Sequence, residues 1–239
     1  MVSVVIHANP GLKNQQECAR WLSEGMARHG IKNTITADKH AGADIHIIQG
    51  PWYCYNEWLA KSATERVLFL NRCFYGHSRF DVSLGWLRPD GSRDFLNHGR
   101  PAAKGILPTQ RPRKDTRRSA VIFADYGIDP APLVSEYRLK HNGSLYFRPH
   151  PQQPRETKAI TLNCDLEAIW GLCDVAIGGF STVLVEAAIA GLHVETTDPL
   201  HVVNGYQEPG WLTDLSWANW SHTELKNGDW WEHLCKRAD

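Results

Sequence analysis

Two stretches of this sequence combine residue types suited to binding an anion. Tyr146-Phe147-Arg148-Pro149-His150-Pro151 sets a guanidinium and an imidazole at the end of a β-prone run. About one βα unit further on, Cys173-Asp174-Val175-Ala176-Ile177-Gly178-Gly179-Phe180-Ser181-Thr182 begins apolar and turns on its two glycines. An apolar, alanine-rich helix then runs to Gly191. The first N–H groups of a helix lack internal partners, its dipole favours negative charge, and the Ser181 and Thr182 hydroxyls add donors. Glycine lets a phosphate approach the backbone closely. The plainer reading is an ordinary βα unit with Ser181 as its N-cap. The Arg-Pro-His-Pro stretch one unit upstream shifts the balance towards a phosphate site.

A third concentration lies at residues 73–96. Phe74-Tyr75-Gly76-His77-Ser78-Arg79-Phe80-Asp81-Val82-Ser83-Leu84-Gly85-Trp86 mixes aromatic rings with titratable groups, and Arg88-Pro89-Asp90-Gly91 is a turn signal. The pattern predicts a β-hairpin of residues 82–87 with 93–96, from which His77, Arg79 and Asp81 reach a site. A hairpin decorated with solvated polar groups is the alternative.

The elements that must hold these residues read as α/β. Strands at 2–7, 34–37, 45–49 and 66–70 alternate with helices at 15–29 and 55–63, the pattern of a doubly wound parallel sheet. Ligands of such sheets sit at the carboxyl ends of the strands, which makes His7, Gly50-Pro51-Trp52 and Asn71-Arg72 candidates there. A second α/β half begins at 120–125. It continues with strands at 144–148, 157–162 and 193–197 and helices at 132–139 and 165–173. Helices at 223–225 and 229–236 close a tryptophan-rich end. Residues 101–118 form the join, with three prolines and the basic run Arg111-Pro112-Arg113-Lys114-Asp115-Thr116-Arg117-Arg118. Such a run is usually a solvated face, and it can also contact a phosphate backbone.

Composition narrows the function classes. The 239 residues suffice for one large domain or two small ones. Formal net charge is zero, so no global field marks a nucleic-acid binder. Ten tryptophans offer flat faces for bases or sugars, although core packing is their commoner use. The six cysteines form no CxxC pair, which argues against zinc and for free thiols in a reducing compartment. No basic signal segment opens the chain and no apolar run reaches the ~20 residues of a membrane span, so a cytoplasmic location is expected.

The two halves, with a cleft between them, resemble the GT-B fold of nucleotide-sugar glycosyltransferases. Arg148-Pro149-His150-Pro151 is similar to the HP motif of bacterial sialyltransferases, capsule enzymes and teichoic-acid glycerophosphotransferases. The glycine-turn stretch with Ser181, Thr182 and Glu186 is similar to their Ser-Ser/Thr motif, which holds the donor's phosphate. Glu186 also matches the place of a ribose-binding carboxylate. The close likeness covers residues 145–195. It implies two Rossmann-like lobes with an interlobe cleft: an acceptor-side lobe at 1–100, a linker at 101–118, a donor-binding lobe at 119–210 and a helical tail at 211–239 packing across the lobes. Compactness and the ending also resemble small phage-encoded glycosyltransferases, some of which modify hydroxymethylated pyrimidines in DNA.

The resemblance implies transfer of a sugar from a nucleotide donor, UDP-linked in expectation, to an acceptor hydroxyl. Arg148, His150, Gly178, Gly179, Ser181, Thr182 and Glu186 would bind the donor and offset charge on the departing phosphate. Asp81 is the first choice of general base, with His77 and Asp90 behind it. Arg79, Trp86 and Arg113 would meet the acceptor, expected to be 5-hydroxymethylpyrimidine in duplex DNA. No metal or cofactor is expected, and the transfer would be inverting. The alternatives are a glycosyl- or glycerophosphotransferase of surface polysaccharide synthesis and a non-catalytic nucleotide-binding relative.

Overall fold

The computed structural model describes residues 2–49, 55–72, 82–94, 109–125, 129–151, 154–199 and 201–235. The chain divides into two compact units, Met1–Ile106 with Leu212–Asp239, and Leu107–Trp211. The α/β class read from the alternating pattern is the one observed, with a Rossmann-like sheet in each of the two units.

In the first unit, β1 (Val4–His7), β2 (Asn33–Thr36), β3 (Ile45–Gln49) and β4 (Arg66–Arg72) pair in parallel in the order β4-β3-β1-β2. β5 (Val82–Leu87) adds antiparallel to β4 and carries both β6 (Arg93–Asp94) and β12 (Asn219–Trp220). The hairpin expected from Pro89-Asp90-Gly91 is therefore β5–β6. The strand β12, at the end of the chain, was not expected.

Helix α1 (Lys13–Arg28) buries Cys18, Ala19, Leu22, Gly25 and Met26, a stripe at helical spacing, against one face of this sheet. Two helices of the C-terminal segment pack on the same core, α7 (His222–Asn227) and α8 (Asp229–Leu234). Ser221 and Glu224 form a reciprocal capping box at the start of α7, and Gly228, at φ 82°, ends it. A Cβ on Gly25 would stand 2.1 Å from the Leu225 carbonyl oxygen, so glycine is what lets the two backbones approach. α2 (Tyr55–Lys61) covers the other face, where Ile48, Trp58, Val67, Phe69 and Leu87 form a second core. Trp58, Trp220 and Trp230 are fully buried, the core use of tryptophan.

The second unit is wholly parallel. Its strands β7 (Ser119–Phe123), β8 (Ser144–Arg148), β9 (Ile160–Thr161), β10 (Val175–Gly178) and β11 (His193–Thr196) lie in the order β11-β10-β7-β8-β9. Counted within the unit this is 5-4-1-2-3, the Rossmann order, and the direction of winding reverses between β7 and β10. Residues 120–123 and the whole of β10 are buried, as expected of central strands covered on both faces. The connecting helices are α3 (Ala131–Lys140), α4 (Leu166–Leu172) and α5 (Val183–Ile189). Asp165 caps α4 by accepting the Ala168 N–H at 2.8 Å. A further helix, α6 (Trp211–Ala218), leads the chain back to the first unit.

Cys18, Cys164, Cys173 and Cys235 are free thiols. Burial pushes Cys18 up to about 11 and Cys173 and Cys235 up to about 12, so these three stay protonated and act as small apolar fillers. Among the described residues no helix is long and apolar enough to cross a membrane.

Candidate functional site

The reversal of winding in the second sheet brings the two sequence motifs together. His150 follows the carboxyl end of β8, and Gly178-Gly179 ends β10. Between those strands lies β7, and just past its end stands Asp125. Phe123 is in register with Arg148, and His150, two residues on, is near enough to Asp125 to act on its charge. Asp125 Oδ2 accepts the Gly179 N–H at 2.8 Å and Oδ1 the Phe180 N–H at 3.1 Å. One carboxylate thus ties the end of β7 to the end of β10.

This corrects one expectation. The sequence suggested that the N–H groups of the glycine turn were open to an anion. Two of them instead bind a carboxylate from 54 and 55 residues upstream. The carbonyls of the turn are held as well. Thr196 Oγ1 donates to the Gly179 carbonyl at 2.8 Å, and the Thr197 N–H to that of Gly178 at 2.9 Å. His201 is buried; its Nδ1 accepts the Val203 N–H at 3.1 Å, leaving Nε2–H to donate to the Ser181 carbonyl at 3.2 Å. The turn is therefore a preset shape. Burial raises the Asp125 carboxyl above the usual range, against the opposing pull of the N–H groups of Gly179, Phe180 and Ser181 and of nearby His150.

The other expected donor residues lie around this turn with unequal roles. Ser181 Oγ accepts the Val183 N–H at 3.4 Å at the start of α5. Thr182 is the half-buried N-cap position of that helix, without a side-chain capping bond. Phe180 is 40% exposed, a large apolar ring left on the surface at the motif. Glu186 is exposed on α5. Arg148 donates from Nη1 to the Leu162 carbonyl at 3.2 Å, tying β8 to the segment after β9. A Cβ at Gly179 would stand 2.5 Å from Asp125 Oδ2, whereas one at Gly178 would meet Leu184 at an ordinary 3.4 Å. Only the second glycine is dictated by space.

The acceptor-side candidates fare differently. His77, Arg79 and Asp81 lie outside the described residues, as do Phe74, Tyr75, Phe80 and Trp52. Asp90 is in the β5–β6 turn, where its carboxylate accepts from the Ser92 N–H and hydroxyl at 2.8 and 2.6 Å. Trp86 packs against the core of the first unit with the Arg66 guanidinium 4.5 Å from its ring centre.

Arg113 sits at the amino-terminal end of β11, the opposite edge of its sheet from Asp125. Its Nε donates to His193 Nδ1 at 2.9 Å and its Nη2 to the Tyr206 hydroxyl at 2.7 Å. The rest of the basic run is similarly engaged. Arg111 pairs with Glu167 at 2.5 Å, Lys114 donates to the carbonyls of Trp170 and Cys173, and Arg117 lies 3.8 Å from Glu195. A run that looked like a phosphate-backbone contact laces the amino ends of the second sheet.

The first sheet carries its own polar group. His7 ends its strand, as the sequence indicated; the strand order that puts β1 at the sheet's reversal point, and the partners of His7, were not foreseen. His7 Nε2 lies 3.0 Å from Nδ1 of fully buried His46, whose Nε2 lies 2.6 Å from Glu65 Oε2. Burial, aided by His46 and Lys61, pushes His7 down to about 4 and so keeps it neutral near pH 7. Among the described residues no three His, Cys, Asp or Glu side chains gather as a metal-binding group.

Comparison with known proteins places the fold. No family model and no curated protein matches the sequence. Solved structures do. KpsC of Thermosulfurimonas dismutans, beta Kdo 2,7 transferase, aligns over 95% of this chain and 98% of its own with a TM-score of 0.58 at 14% identity. KpsC of the same organism, beta Kdo 2,4 transferase, aligns over 91% of this chain and 90% of its own with a TM-score of 0.53 at 11% identity. At these identities the likeness is one of fold.

Proposed function

We propose that this protein is a glycosyltransferase that takes a sugar from a nucleotide-activated donor and holds the donor's phosphate in the second unit. The observation that carries the reading is the meeting of the Arg-Pro-His-Pro and Gly-Gly-Phe-Ser-Thr motifs across Asp125, where the winding reverses. The fold shared with Kdo transferases supports it. Breaking the sugar–phosphate bond leaves negative charge on the departing phosphate. His150 and the hydroxyls of Ser181 and Thr182 would offset that charge, and the preset turn would keep them in place without reorganisation. The proposed acceptor is a saccharide hydroxyl rather than a base in DNA. Four of the five basic residues of the 111–118 run have partners inside their own unit, which weakens the case for a nucleic-acid face.

The test is a thermal-shift screen of UDP-, GDP-, CMP- and CDP-linked sugars, with a Kdo-linked nucleotide in the panel. One donor class should raise the melting temperature of the parent. His150→Ala and Ser181→Ala should weaken that effect, each by about 1–3 kcal/mol of binding for a charge-assisted bond. Unchanged donor binding in both variants would move the phosphate site elsewhere.

A further inference from the structure

We propose that donor binding at this site takes up a proton on Asp125, converting the carboxylate that holds the glycine turn into a hydrogen-bond donor to the donor's phosphate. The inference rests on the donor reading above and concerns the same turn.

Oδ2 and Oδ1 of Asp125 accept from Gly179 and Phe180, the second motif glycine and the residue before Ser181. A donor phosphate brought to this turn by His150, Ser181 and Thr182 therefore meets a carboxylate. Two anions brought side by side repel at a half-buried site, where water screens them incompletely. Three outcomes are open: the carboxylate leaves, the phosphate stays out, or one negative charge is neutralised. Leaving is hard, because Asp125 sits just past the end of the buried central strand and ties two neighbouring strand ends together. Neutralisation is easier, because burial already raises this carboxyl. A phosphate brought beside it would raise it further, since a like charge nearby disfavours the ionised form.

The bookkeeping of atoms is simple. One proton passes from solvent to one carboxylate oxygen. The other oxygen remains a carbonyl and keeps one N–H of the turn. The protonated oxygen releases the other N–H and points its own O–H outward, so the phosphate gains two donors where it faced a charge. The groups acting on Asp125 are His150, which follows β8, and the N–H groups of residues 179–181. His150 is the titratable one among them, and its own protonation would also favour an anion, so the test must separate the two.

Isothermal titration of the parent at pH 6 with the nucleotide sugar found by the screen, in two buffers of different ionisation heat, counts protons taken up. Nucleotide sugars suit this because their esterified phosphates do not titrate near pH 6. About half a proton or more per donor is expected. Asp125→Asn presents the same carbonyl and an N–H in place of the acid O–H. It should show uptake reduced to near zero and bind the donor about tenfold tighter than the parent at pH 8. His150→Ala should keep its uptake. Zero uptake by the parent would overturn the coupling, as would weaker binding by folded Asp125→Asn at pH 8, or uptake lost in His150→Ala and kept in Asp125→Asn. If Asp125→Asn does not fold, the parent and His150→Ala counts still decide. A parent that binds no nucleotide sugar at any pH overturns the donor reading and this coupling with it; binding without uptake overturns the coupling alone.

Discussion

Adjacent glycines give a sharp test of whether the turn is a preset shape. Gly179 is not in the left-handed region, so replacing it costs space rather than backbone conformation. A methyl there would meet Asp125 Oδ2 at 2.5 Å and Thr197 Oγ1 at 3.2 Å. The carboxylate must move, and it is held by bonds of 2.8 and 3.1 Å. Losing one or both of these charge-assisted bonds, at a half-buried place, costs about 3 kcal/mol. For a unit of this size that lowers the melting temperature by roughly 10–20 °C. Gly178→Ala is the control, since its methyl would touch Leu184 at 3.4 Å and nothing closer, and its effect should stay within about 1 kcal/mol. Scanning calorimetry on both variants gives the comparison. In the double variant Asp125→Ala, Gly179→Ala the obstructing carboxylate is gone, so its loss should fall short of the sum of the two single losses by about 1 kcal/mol or more. Equal melting temperatures for Gly178→Ala and Gly179→Ala, or strict additivity in the double variant, would refute the steric argument.

Two further outcomes concern the first unit. His7 is held down at about 4 by burial against 6.5 in the unfolded chain, so between those values the unfolded state binds more protons. Stability from this group is full above pH 6.5 and falls as pH drops towards 4, by about 3 kcal/mol in all. Urea denaturation at pH 7.5, 6 and 5 should show the decline, and His7→Gln should flatten it; equal slopes for parent and variant would count against a buried neutral imidazole. Gly25→Ala should destabilise the protein by about 3 kcal/mol or more, because its methyl would lie 2.1 Å from a backbone oxygen of Leu225. Gly42→Ala, with nothing within 4 Å, is the control, and indistinguishable urea midpoints for the two would contradict the close packing of α1 on α7.

The fold was readable where hydrophobic pattern and local chemistry agree. Val4-Val5-Ile6 and Val175-Ala176-Ile177 are short apolar runs bounded by polar or glycine residues, and they became central parallel strands. The Pro89-Asp90-Gly91 turn marked its hairpin because the turn's geometry is written in those residues. β12 and α6 escaped for different reasons. β12 is two residues long, and its strand character comes from β5 beside it, more than a hundred residues away in sequence. α6 begins at Trp211 in a tryptophan-rich stretch whose side chains suit strand and helix alike.

The site divides along the same line. His150 and the Gly-Gly-Phe-Ser-Thr turn were visible as candidates because each is local: a residue type at the end of a β-prone run. Asp125 was not, because an aspartate after an apolar run is ordinary, and only the strand order puts it between the two motifs. Placing β7 between β8 and β10 follows from parallel crossovers, and the sequence pattern does not distinguish this order from its alternatives. The bonding of Arg113 was hidden in the sequence for the converse reason. A cluster of arginines and lysines has the same composition whether it faces solvent or ties loops to strand starts, and its partners His193 and Tyr206 lie 80 and 93 residues away. Charge runs thus say little until the sheet edge they serve is known. The carboxyl edge of the second sheet holds the two motifs and the carboxylate between them, while the amino edge holds the basic run. A substitution at Asp125 should therefore alter donor binding, and one at Arg113 should alter stability alone.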